Sequence, residues 1–121
     1  MSLKLNTRQI EGVTVLDCHG RIVFGEEAAA LRETVKGLLP EHKRLIINLG
    51  NVQYIDSGGL GTLVGLYTSA KAAGGSIKLA RLTHRTTELL QVTKLLTVFE
   101  VYEDEADAAK AFLAGGHSAV A

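Results

Sequence analysis

The chain has 121 residues, 46% of them hydrophobic, enough for one ordinary core and too few for two. Thirteen basic residues balance thirteen acidic ones, so no overall field draws the protein toward nucleic acid or an anionic membrane. No apolar run reaches spanning length and the first residues carry no secretory pattern, so the reading is of a cytoplasmic protein with no membrane partner. Cys18 is the single cysteine and cannot close an internal disulfide; in an alternating strand it reads as a buried, inert thiol.

In chain order, residues 3–10 and 13–20 are extended in type, and Glu11-Gly12 between them suits a tight hairpin. Alternation puts Thr14, Leu16 and Cys18 on the core side of the second strand. Residues 26–39 carry Ala28, Leu31, Val35, Leu38 and Leu39 at helical spacing, with acids in the first turn and a stop at Pro40. Residues 44–49 form a nearly continuous apolar run, the pattern of a central strand covered on both faces. After Asp56-Ser57-Gly58-Gly59, a helix carries Leu60, Leu63, Val64 and Tyr67, and Gly74-Gly75 closes it. A strand over 76–80, a helix over 83–92 presenting Thr86, Leu89 and Leu90, a strand over 98–102 and a helix over 103–113 complete the order, and 115–121 reads as a disordered tail. Strands separated by helices predict an α/β domain over 1–114: a mixed, mostly parallel sheet with an N-terminal antiparallel hairpin and about four helices packed against it.

Asp56-Ser57 falls at a strand-to-helix junction, where functional groups of open α/β sheets concentrate. The same dipeptide also makes an ordinary N-cap, its oxygen accepting from free N–H groups of the first turn. Gly58 and Gly59 each cost the helix about 1 kcal/mol relative to alanine. Some other requirement therefore favours them, such as close approach of another chain or N–H groups open to an anion.

The four histidines, the cysteine and the carboxylates show no catalytic or metal-binding spacing. Neither Cys-x-x-Cys nor His-x-x-x-His occurs, and Gly58-Gly59-x-Gly61 lacks the lysine and spacing of a phosphate loop. The expectation is a binding protein without cofactor or metal. His19, His42, His84 and His117 read as surface residues. Arg81, His84, Arg85 and Lys94 read as a solvated helix face, with Tyr67 the nearest aromatic in sequence, and not as a nucleic-acid surface.

The stretch Tyr-Ile-Asp-Ser-Gly-Gly-Leu-Gly-Thr-Leu, residues 54–63, resembles the signature of STAS-domain anti-sigma-factor antagonists, and the resemblance extends over about residues 3–112, including 72–80 and 92–99. It implies a switch that binds an anti-sigma factor with serine-kinase activity when unphosphorylated, is released by phosphorylation at Ser57, and is reset by a metal-dependent serine phosphatase. Asp56, Ser57, Gly58, Gly59, Gly61 and Phe24 would form the partner-binding surface, with Phe24 as its apolar anchor. The sequence departs from the family where many antagonists carry acids: Val23 and Asn48 stand there, which implies a thinner acidic cluster around the serine. Other STAS proteins serve as stressosome scaffolds or as subunits of lipid-transport ABC complexes, so a constitutive subunit is the alternative. A monomer and a homodimer are both compatible with the edge strands expected.

Overall fold

A computed structural model describes residues 2–118, with side-chain surroundings for 2–114. The elements run β1 (Leu3–Ile10), β2 (Val13–Ile22), α1 (Glu26–Leu38), β3 (Arg44–Ile55), α2 (Ser57–Ala72), β4 (Ser76–Ala80), α3 (His84–Val92), β5 (Glu100–Tyr102) and α4 (Glu105–Ser118). The five strands lie in one sheet in chain order; β1 is antiparallel to β2 and the remaining neighbours are parallel. This is the predicted α/β architecture.

Glu11 and Gly12 both take positive φ, 50° and 80°, so the β1–β2 connection is the two-residue turn whose twist suits a hairpin. Gly74, at φ 84°, supplies the left-handed residue after α2, and the Gly75 N–H closes the turn onto the Ala70 carbonyl at 2.7 Å.

The larger core cluster joins Leu16 and Cys18 of β2, Leu45, Ile47 and Leu49 of β3 and Ile77 and Leu79 of β4 to Leu31 and Val35 of α1, Leu60, Leu63 and Leu66 of α2 and Leu90 of α3. The opposite face is sealed by α4, whose Ala108, Ala109 and Phe112 pack on Val13, Val15, Ile46 and Ala80. The single core face expected for β2 is thereby corrected. Thr14, Leu16 and Cys18 are buried, and so are Val13 and Val15, because β2 lies inside the sheet and α4 covers its second face.

Several boundaries also differ from the sequence pattern. β3 continues six residues past Leu49, through polar Asn51 and Gln53, because β2 supplies ladder partners as far as Ile55. The last helix begins at Glu105 rather than at 103, since Asp104 is its cap and accepts from the Asp107 N–H at 2.8 Å. It extends to Ser118, over the first four residues of the expected tail, propagated from a packed stripe despite Gly115 and Gly116. Residues 119–121 lie outside the described residues.

Candidate functional site

The site forms where β3 turns into α2. Asp56 is extended, with φ −97° and ψ −178°, and its Oδ1 accepts from the Gly59 N–H at 2.8 Å. The same carboxylate accepts from the Phe24 N–H at 3.1 and 3.2 Å, and the Asp56 N–H donates to the Ile22 carbonyl at 3.3 Å. One side chain thus caps α2 and ties down the loop after β2. These N–H groups, that of Gly59 foremost, hold the Asp56 carboxyl below its usual range.

This geometry divides the labour that the Asp-Ser dipeptide left open. Asp56 is the cap. Ser57 is the first helical residue; it is exposed, and its hydroxyl makes no hydrogen bond among the described residues. Its side chain has no structural task, while the helix dipole places partial positive charge beside it.

The glycines answer mainly to the chain's own packing. A Cβ on Gly59 would stand 1.9 Å from the Ile22 carbonyl oxygen, and one on Gly58 would stand 2.6 Å from Phe24 Cβ. The Gly59 N–H is already taken by Asp56, so the N–H group there is not open to an external anion. Gly61 is the exception: a Cβ there would meet nothing within 4 Å, and it is exposed.

Two grooves flank Ser57. One, of about 520 Å³, runs between α1 and α2, with Phe24 at its rim, Gly58, Gly61 and Gly65 along α2, and Arg32 and Lys36 on α1. The other, of about 530 Å³, is lined by Tyr54, Ile55, Asp56 and Ser57 on one side and by Arg85, Thr86, Glu88, Leu89 and Val92 of α3 on the other. Phe24 is 81% exposed, Val92 76% and Tyr54 44%, so exposed apolar groups stand on both sides of the serine.

All six residues singled out from sequence come together here. Asp56, Ser57, Gly58, Gly59 and Gly61 share one turn and a half of chain, and Phe24 is fastened beside them through Asp56 and Gly58. Sequence reasoning missed Tyr54, Val92 and Arg85 as neighbours of Ser57. A signal existed, because Arg85, Glu88, Leu89 and Val92 have the i, i+3, i+4, i+7 spacing of one helix face. Arg85 had instead been grouped with Arg81, His84 and Lys94. Tyr67 does not belong to that basic face either: it packs edge-on against Phe99, with ring centres 5.4 Å apart, and carries Lys71 over its ring.

Asn48, expected near the serine, is elsewhere. Ile55 lies seven steps further along β3, at ~3.3 Å each, which places Asn48 roughly 20 Å from the site. Its buried amide donates to Glu105 on the α4 side, and its Oδ1 accepts from the Gly50 N–H at 2.9 Å. Arg8 completes this group, bonding Asp17 at 2.7 and 2.9 Å and also Glu105. The hydrogen bond to Asp17, then that to Glu105, raises the Arg8 pKa above its ordinary value.

His42 is half-buried rather than superficial, its Nδ1 2.8 Å from Thr14 Oγ1, which also accepts from Gln9. His84 is exposed and lies 3.1 Å from Glu88; the side chain of His117 is outside the described surroundings. Cys18 is buried and its thiol is pushed up to about 12, first by desolvation and then by Asp17, as an inert thiol requires. Among the described residues, no group of three His, Cys, Asp or Glu side chains could hold a metal ion, and no helix is long and apolar enough to cross a membrane.

The STAS domain family matches residues 4–108. The anti-sigma-B factor antagonist of Bacillus subtilis (strain 168) is 33% identical over 102 residues, which cover 84% of this chain and 92% of that protein. An anti-sigma factor antagonist from Mycobacterium paratuberculosis superposes with a TM-score of 0.77 at 23% identity, over 91% of this chain and 93% of the other. The anti-sigma factor antagonist SpoIIAA, solved in unphosphorylated and phosphorylated forms, gives 0.67 for each at 15% identity, over 94% and 91% of this chain and 99% of SpoIIAA. With the family model spanning most of the chain and a relative of this identity and coverage, the chain belongs to the STAS-domain family of anti-sigma-factor antagonists.

Proposed function

We propose that this protein is a phosphorylation-gated docking module, an anti-sigma-factor antagonist that captures an anti-sigma factor with serine-kinase activity and lets it go when Ser57 is phosphorylated. The observation that carries this is the uncommitted Ser57 hydroxyl, exposed between Phe24 on one side and Tyr54 and Val92 on the other, while Asp56 performs the capping. The 33% identity to an anti-sigma-B factor antagonist supports the class of partner.

Exposed aromatic and aliphatic groups around a polar centre suit a protein interface whose apolar anchors exclude water. Transfer of the γ-phosphoryl group of ATP to Ser57 Oγ forms the Ser57 O–P bond, breaks the β–γ bridge, and releases ADP and the hydroxyl proton. It adds about −1.5 to −2 charges at the centre of that surface. Burying that charge against the partner costs desolvation energy, and a loss of about 3 kcal/mol weakens binding more than about a hundredfold. Hydrolysis by a metal-dependent serine phosphatase restores the hydroxyl and the surface.

The test is partner binding by Ser57→Ala and Ser57→Asp, with site mapping of the protein isolated from its own cells. Ser57→Ala should bind the anti-sigma factor constitutively, Ser57→Asp should bind it weakly, and the phosphate on Ser57 should vary with growth condition. Equal binding by both variants and an unmodified Ser57 under every condition would instead favour a constitutive subunit of a larger assembly.

A further inference from the structure

We infer that Arg85 is the built-in counter-charge for a phosphoryl group on Ser57, folding the modification back onto the protein's own α3; this rests on the reading of Ser57 as phosphoacceptor. Arg85 lies in the second turn-forming position of α3 and lines the same 530 Å³ groove as Ser57. It is exposed, and its guanidinium makes no ion pair or hydrogen bond among the described residues.

The other charged groups of the groove are Asp56 and Glu88, and both are engaged elsewhere. The Asp56 carboxylate accepts from Gly59 and Phe24, and Glu88 pairs with His84 at 3.1 Å. Neither neutralises Arg85, so the guanidinium is available to a new anion. Phosphate is its best-matched partner, since the planar fork donates to two phosphate oxygens at once.

A phosphoryl group on Ser57 therefore meets two positive features from different elements: the N-terminus of α2, on which it is carried, and Arg85 across the groove. Drawing the phosphate toward α3 also places the ion pair in a groove that Tyr54, Ile55, Leu89 and Val92 line with apolar surface. The modified state is then an alternative surface held by a defined contact, rather than only a repelled version of the first.

The test uses the full chain with phosphoserine installed at 57 during synthesis, so that no kinase is needed. The phosphate is titrated by phosphorus NMR in the parent, in Arg85→Gln and in Arg85→Lys. With Arg85 present, the second ionisation should fall about 0.5–1 pH unit below its position in Arg85→Gln. Lysine should restore part of the shift, and added salt should shrink it. Identical titrations for the parent and Arg85→Gln overturn the inference. Because Ser57 phosphorylation in cells is read separately by site mapping, a phosphate found there together with identical titrations removes Arg85 and leaves the switch standing. The NMR shift together with an unmodified Ser57 in cells establishes the contact and removes the switch.

Discussion

Replacing Gly59 with alanine adds one methyl group where β2 and α2 already touch. The new Cβ would lie 1.9 Å from the Ile22 carbonyl oxygen, 2.7 Å from its carbon and 2.9 Å from Ile22 Cγ2. Two of those atoms are backbone, so no side-chain rotation relieves the clash; α2 and the end of β2 must part. Overpacking of this kind costs typically ~1–3 kcal/mol, and here it acts against a helix-propensity gain of about 1 kcal/mol. Separation also strains the Asp56 cap, because the Asp56 N–H is bonded to the same Ile22 carbonyl. The expected balance is a loss of about 1–2 kcal/mol, or a melting temperature lower by roughly 4–8 °C.

Gly61→Ala is the internal control, since a Cβ there meets nothing within 4 Å and should stabilise the helix by up to about 1 kcal/mol. Urea unfolding followed by circular dichroism separates the two. If both alanine variants move the midpoint in the same direction, the claim that Gly59 is kept by contact with Ile22 is wrong.

Further outcomes are expected from the same geometry. Asp56 has a folded pKa below its unfolded value, so its contribution to stability is fully present above about pH 4 and is lost as pH falls through the folded pKa. Asp56→Asn should flatten the acid limb of a stability–pH profile, and an unchanged limb would argue against the cap. Asn48→Asp replaces the donor to Glu105 with a second carboxylate in a buried position, and should cost about 1–3 kcal/mol at neutral pH. Chemical denaturation of the variant against the parent at pH 7 measures it, and an unchanged midpoint would argue against the Asn48–Glu105 contact. Cys18 should resist an aromatic disulfide reagent in the native protein and react at once in denaturant, whereas stoichiometric labelling of the folded chain would contradict its burial.

The chain order of elements was legible because hydrophobic period and turn chemistry coincide, as at Glu11-Gly12 and Gly74-Gly75. The length of β3 was not, because Asn51 and Gln53 give no apolar signal; only the ladder to β2 keeps those residues extended. The same omission misplaced Asn48, which falls at the end of the apolar run but well before the end of the strand. At the site, the motif located Asp56, Ser57 and the glycines, and the loop placed Phe24 beside them. The roles within that group depend on three-dimensional geometry: whether Asp56 or Ser57 caps is decided by a carboxylate oxygen 2.8 Å from the Gly59 N–H. Arg85 was visible as a cation, but its neighbour across the groove is 28 positions away in sequence, beyond the reach of any local pattern.

The register of β3 bears on how Ser57 can be reached. β3 is flanked by β4 only from Arg44 to Asn48, whereas β2 accompanies it through Ile55. The last seven residues of β3 therefore run past the end of β4 with β2 as their strand neighbour, and β1 borders β2 only as far as Gly20, so the serine is carried beyond the ends of both β4 and β1. There Ser57 is exposed between Phe24 and α3, so a second protein can reach it from solvent without any part of the fold having to open.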